Sequence, residues 1–238
     1  MTRDGAVALP AGAEELAAGP ITTRQFAAPE LGAQGLLAID TTLGTSVALG
    51  VGGVVFEALN DDPRGHAEAI GSLIARVFEL ADASPSAVTG VVAGIGPGPF
   101  TGLRVGVAAA HAFAIGRGVP LLPLQGSEAV ALSVLSVGAA APEVRVIQDA
   151  RRRELFITEF GGLDWAGIPE RRAYPRLVAR SDYVAEPRDV WPERIPAARL
   201  VQLAARRLAS GRDFEPDLAV YLRDPDVYPA AAPKRVST

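Results

Sequence analysis

Apolar positions along the chain fall into short regular patterns that begin abruptly at Leu36. Leu36-Leu37-Ala38-Ile39 is a continuous apolar run closed by Asp40, which predicts a strand buried on both faces. Thr45–Val51 alternates, Gly52-Gly53 turns the chain and Val54–Leu59 follows, so the first folded unit reads as a three-stranded meander. Behind Asp62-Pro63, the residues Ile70, Leu73, Ile74, Val77, Phe78 and Ala81 recur at helical spacing and predict a helix over His66–Ala81. Val88–Ile95 then reads as a buried strand, Gly96-Pro97-Gly98-Pro99 as a stiff loop, and Thr101–Gly116 as a second helix.

Further along, Pro120–Leu124 predicts a strand, Ser127–Leu135 a helix, and Val144–Asp149 with Glu154–Phe160 two more strands. Residues 161–194 are proline-rich and read as irregular, Ile195–Ala209 is an arginine-bearing amphipathic helix, and a Pro/Asp-rich tail follows. Residues 1–34 hold Ala, Gly, Pro and Glu without a sustained period, which predicts a loosely ordered N-terminal extension. A meander, then helices alternating with strands, then a second αβ half, predicts an α/β chain with two ribonuclease H-like lobes, at 35–124 and 125–238.

Composition removes several chemistries. Of the 238 residues 49% are hydrophobic and 21% charged, ordinary globular usage that can fill a core. With no cysteine, there is no disulfide, thiolate metal site or cysteine nucleophile. Lys234 is the single lysine, so a P-loop or Schiff-base lysine elsewhere is excluded. The net charge of −4 offers no global attraction for nucleic acid, but residues 1–124 hold 11 acids and 6 bases, against 16 acids and 17 bases after them. Any basic surface therefore lies late. The longest apolar helix contains Arg104 and His111, no apolar signal segment follows Arg3, and a soluble cytoplasmic protein is expected.

Two segments could hold a phosphate. Asp40-Thr41-Thr42 places a carboxylate and two hydroxyls at a strand end, the edge where a sheet delivers chemistry, yet the same residues suit a β-turn held by local hydrogen bonds. The turn is the simpler reading. In Gly96-Pro97-Gly98-Pro99-Phe100-Thr101-Gly102, the glycines permit close backbone approach, Thr101 suits the helix cap, and the first helical amides face an anion site. No Walker lysine follows and two prolines remove amides, so a stiff structural connection stands beside the anion reading.

The second helix places Gly102, Gly106, Ala109, Ala110 and Phe113 along a small-residue stripe, and Leu103, Val107, Ala110 and Ala114 along a further apolar strip. A helix this apolar must be covered on more than one side, by its own neighbour or by a partner's helix. His66 and His111 form no metal-ligand pair, and no Gly-x-Ser-x-Gly elbow is present. Arg151-Arg152-Arg153, Arg171-Arg172, Arg176 and Arg180 suit solvated faces or RNA phosphates, though they show no interleaved aromatic platform that would give specificity.

Leu-Ala-Ile-Asp-Thr-Thr at 37–42, Gly-Pro-Gly-Pro-Phe-Thr-Gly-Leu-Arg-Val-Gly at 96–106, Asp-Ala-Arg-Arg at 149–152 and Tyr-Leu-Arg at 221–223 together resemble the bacterial TsaB family, over about residues 36–224. That family is the dimerisation subunit of the machinery making threonylcarbamoyladenosine beside the anticodon of tRNAs that read codons beginning with A. The resemblance implies an actin-like ATPase (ribonuclease H-like) duplicated fold and a pseudoenzyme that binds and activates the paralogue TsaD. It implies docking through the first two helices (His66, Ile70, Ile74, Phe78; Thr101, Leu103, Gly106, Val107, Ala109, Ala110, Phe113).

It further implies recruitment of the ATPase TsaE, tRNA contact through the complex, and ATP or ADP only in that complex, with Asp40, Thr41, Thr42, Gly96, Gly98, Thr101 and Gly102 as degenerate phosphate loops. The positions matching the metal-binding His-x-x-x-His of TsaD-type chains are Gly126 and Val130, neither a metal ligand. Pro99 stands where the family commonly has Ser, and residues 1–34 have no family counterpart. A phosphotransferase or glycoprotease-like hydrolase of the same superfamily, acting through Asp40 and the Gly96 loop, is the rival reading. A homodimer through the same helices is compatible with the scaffold.

Overall fold

The computed structural model describes residues 14–18, 21–60, 66–137 and 143–222, with side chains described from residue 21 and, in the first helix, from residue 69. Seven strands form the first sheet, in the order β1-β2-β5-β4-β3-β6-β7. These are β1 (Glu14–Ala18), β2 (Ile21–Ala27), β3 (Leu36–Asp40), β4 (Thr45–Val51), β5 (Val54–Asn60), β6 (Gly90–Gly94) and β7 (Leu121–Leu124). The meander β3-β4-β5 is antiparallel, whereas β3, β6 and β7 run parallel. Helices α1 (His66–Leu80) and α2 (Phe100–Arg117) make the crossovers those parallel pairs require.

Strand β3 is buried along its whole length because both faces of the sheet are covered. Its alternate residues enter two cores: Leu37 and Ile39 join α1 and α2, while Leu36 and Ala38 join α3 (Gly126–Leu135) and α4 (Ala197–Ser210). Gly118, left-handed at φ +66°, closes α2, its amide shared between the Ala114 and Ile115 carbonyls of the last turn. The second sheet has the order β10-β9-β8-β12, with β11 also on β9. Its strands are β8 (Val144–Asp149), β9 (Glu154–Leu163), β10 (Pro169–Arg171), β11 (Arg176–Ala179) and β12 (Asp189–Val190).

Three expectations change. Residues 21–34 are not a loose extension: β2 pairs with β5 along its full length, Phe26 and Leu31 are buried, and Leu31 packs against Gly50. The pattern hid this strand because only Thr23 and Phe26 of it are buried, a spacing that is not two. Residues 1–13 and 19–20 of that segment lie outside the described residues. The region 161–194 carries three short strands rather than none.

Helix α4, placed by sequence with the second lobe, lies on the first sheet against β3, β4 and β5. Ser46 Oγ donates to the Ile195 carbonyl at 2.7 Å, and Glu57 accepts the Ala198 amide at 2.9 Å. Glu57 thereby caps a helix whose own N-cap, Pro196, offers no side-chain oxygen.

Candidate functional site

The end of β3 and the loop after β6 come together, but the turn points inward. Asp40, Thr41 and Thr42 are buried. Asp40 Oδ1 accepts from the Thr42 amide at 2.8 Å and the Thr42 hydroxyl at 2.6 Å, and Thr41 Oγ1 donates to the Gly102 carbonyl at 2.6 Å. The glycines make room for these side chains. A Cβ on Gly94 would lie 2.0 Å from Asp40 Oδ2, on Gly98 2.6 Å from Thr42 Cβ, and on Gly106 2.3 Å from Thr41 Oγ1. Of the two readings of Asp40–Thr42 the hydrogen-bonded turn is the one the structure holds, and the glycine pattern of 94–106 is a receptor for that turn. A phosphate seated there would have to displace Thr41 and Thr42. Thr101 does not cap α2 either; the helix starts at Phe100 behind Pro99 without a side-chain cap, and Thr101 is exposed.

Burial raises the Asp40 carboxyl from 3.8 to about 6, against the two hydrogen bonds from Thr42 that lower it. Its Oδ2 has no hydrogen-bond partner and lies 3.1 Å from where a Cβ on Gly126 would sit. Around the same junction Gln125 and Ser127, both fully buried, flank Gly126, and Gln148 Nε2 donates to the Pro97 carbonyl at 3.4 Å. The Gln125 amide, Ser127 Oγ and Gln148 Oε1 have no protein partner. These three residues carry no local sequence signal, since only the meeting of the two sheets brings them to the turn. Val130, the second position matched to the metal motif, lies wholly in the core.

The two helices present a different face from the one expected. Ile70, Leu103, Gly106 and Ala110 are buried inside the molecule, and Gly102 is the carbonyl partner of Thr41. The stripe 102/106/110 thus packs on the chain's own sheet, a correction to its role as a docking stripe. The outward stripe is offset: Gly71 and Ala75 on α1, and Ala108, Ala112 and Gly116 on α2, are exposed, with open space over Gly71 and Gly116. Phe78 and Phe113 stack at 6.1 Å between the helices, and Ile74, Val105, Val107 and Ala109 are half-buried beside them. The His66 side chain lies outside the described residues.

One flank of α2 is covered from within. The segment after α4 returns along it, with Val220 donating to the Ile95 carbonyl at 2.8 Å and His111 Nε2 3.0 Å from Asp217 Oδ1. At the helix start, Phe100 and Tyr221 lie 5.0 Å apart, and the Arg104 guanidinium covers Phe100 at 3.6 Å. The arginine runs separate by environment. Arg171 bridges Glu128 and Glu215 at the edge of a polar cavity of about 310 Å³, and Arg176 pairs with Glu159. Arg151, Arg152 and Arg153 are exposed.

Residues 38–167, more than half of the chain, match the family model of TsaD, tRNA N6-adenosine threonylcarbamoyltransferase. Proteins named tRNA threonylcarbamoyladenosine biosynthesis protein TsaB are similar: that of Escherichia coli is 31% identical over 130 residues, covering 52% of this chain and 54% of that protein. The Haemophilus influenzae protein of that name is 32% identical over 125 residues, covering 52% of each chain. The chain belongs to the TsaD family, in its TsaB branch.

An uncharacterised Mycobacterium tuberculosis protein is 34% identical over 103 residues, 43% of this chain and 46% of that one. The chain spans about half the length of the curated relatives it matches. The solved structure of YeaZ from Pseudomonas aeruginosa superposes with a TM-score of 0.67 at 26% identity, over 79% of this chain and all of that one. The fold is that of the actin-like ATPase superfamily. Among the described residues, no helix is long and apolar enough to cross a membrane.

Proposed function

We propose that this chain acts in tRNA threonylcarbamoyladenosine biosynthesis as a non-catalytic scaffold that docks on a TsaD-type transferase and keeps it active. The observation that carries the reading is the exposed small-residue stripe of α1 and α2, Gly71, Ala75, Ala108, Ala112 and Gly116, bordered by half-buried Ile74 and Ala109. Small residues at i, i+4 spacing let a second helix pair approach closely, and bordering apolar groups are desolvated when it does. The TsaB names of two relatives supply the pathway. The filling of the glycine pattern by Thr41 and Thr42 supports a chain that leaves the chemistry to its partner. In this reading TsaE and ATP or ADP join only the assembled complex, and a second copy of the chain takes the same helix face when the transferase is absent.

The test is reconstitution with purified TsaD. Ala112→Arg and Ala75→Arg, at exposed positions, are expected to retain the folded state but to lose copurification and the stimulation of transfer, because a charge would be buried in a close contact. Assembly that survives both substitutions overturns the chosen face. Calorimetry of the isolated chain with ATP and magnesium separates the rival: micromolar binding with turnover favours a phosphotransferase or hydrolase using Asp40, and silence favours the scaffold.

A further inference from the structure

We propose that the chain supplies an RNA-contacting surface of its own, formed by the Arg151–Arg153 turn and the Phe100–Arg104–Tyr221 stack on either side of the Gly96–Pro99 loop. The choice of tRNA as the RNA rests on the preceding reading. The first observation is conformational. Arg151, Arg152 and Arg153 join β8 to β9 with φ of +65°, +52° and +63°, three consecutive side-chain-bearing residues in the left-handed region. Glycine or asparagine adopts that conformation at far lower cost. Arginine is therefore held at all three positions at a conformational cost, with all three residues exposed.

The second observation is placement. Asp149 Oδ1 accepts the Arg151 amide at 2.8 Å, the Arg180 amide donates to the Arg153 carbonyl at 2.7 Å, and the Arg180 guanidinium lies 3.8 Å from Asp149 Oδ1 and over the Trp191 ring, so the three turn arginines carry the charge of this surface. One residue before Asp149, Gln148 reaches the Pro97 carbonyl, which sets the turn beside the loop that opens α2. Across that loop Phe100 and Tyr221 are 41% and 42% exposed, and Arg104 both covers the Phe100 ring and donates to the Tyr221 hydroxyl at 3.2 Å. About 50 residues of sequence separate Phe100 from Arg151, and the Gln148–Pro97 hydrogen bond ties the two segments together. Exposed guanidiniums beside stackable rings are the elements of single-stranded RNA binding: phosphate neutralisation from one, base stacking from the other. An acidic protein surface would use the first and leave the second idle.

The test uses the full chain and a labelled, unmodified tRNA transcript, titrated at salt between roughly 50 and 200 mM. Asparagine at the three turn positions (Arg151→Asn, Arg152→Asn, Arg153→Asn) removes charge while suiting the left-handed backbone, so the melting temperature is expected to hold or rise. The same variant is expected to bind RNA about tenfold more weakly and to lower the salt-dependence slope by about 2. Phe100→Ala with Tyr221→Ala is expected to weaken binding about fivefold or more with the slope unchanged. The proposal is overturned by a wild-type chain that does not bind the transcript, by unchanged affinity and slope in the triple variant, or by polyglutamate displacing RNA as well as unlabelled tRNA does. Copurification with TsaD is read in the same preparations. Loss of RNA binding with assembly intact isolates this surface, and failed assembly of the wild-type chain counts against the scaffold instead.

Discussion

Asp40 is a carboxylate held where the fold favours its neutral form. Burial is the larger influence and the two hydrogen bonds from Thr42 the smaller, which places it at about 6 against 3.8 in the unfolded chain. Between those values the folded state holds a proton that the unfolded state has released, so stability falls as pH rises from about 4 to about 6. The full effect of such a shift is about 3 kcal/mol. Asp40→Asn keeps an acceptor for Thr42 and removes the charge. Urea unfolding across this range should show a flatter profile than wild type and a gain of about 1 to 3 kcal/mol at pH 7.5. A parallel pair of profiles would refute this account of the site. The sequence showed a carboxylate at a strand end with hydroxyls behind it, and even favoured the turn. That the turn folds inward was hidden, because Gly94 and Gly126, which make room for its free oxygen, come from two other elements.

At the scale of elements, every long helix and the buried strands were legible, because their periods are set by burial of one face or two. The face of α2 was not. Its small residues form two stripes, 102/106/110 and 108/112/116, and a helix apolar nearly all round carries no signal for which stripe meets its own sheet. Thr41 decides it, by occupying Gly102 and Gly106 from inside. Helix α4 poses the same difficulty. Its amphipathic period was plain, but its seat depends on Glu57, a buried strand residue that reads locally as an outward polar position. Burial raises the Glu57 carboxyl, opposed by the Ala198 amide and by Arg24, Arg194 and Arg199. Glu57→Ala leaves that amide without a partner and is expected to cost about 1 to 3 kcal/mol, whereas Glu57→Gln keeps the acceptor and should cost less. Equal losses in chemical unfolding would show that the cap contributes nothing.

The molecule as a whole is joined by what its last elements cover. One core draws Leu36, Ala38, Ala48, Val55 and Val92 from the first sheet together with Val144, Val146 and Phe160 from the second, and α4 adds Leu200, Val201 and Leu203 to it. The other core, under α1 and α2, receives Val220 from beyond α4. Neither face of the first sheet is therefore complete without residues that follow position 194. Hydrophobic burial is the dominant favourable contribution to folding, so halves that share it should unfold together. Calorimetry of the full chain is expected to give one transition with matching calorimetric and van't Hoff enthalpies. A chain ended after residue 194 exposes the seat of α4, and is expected to bind hydrophobic dye and melt without a cooperative transition. Two resolved transitions in the full chain, or a cooperative melt in the shortened one, would mean that the first lobe is self-sufficient. In that case the outward face of α1 and α2 would rest on a framework that needs no support from the chain's end.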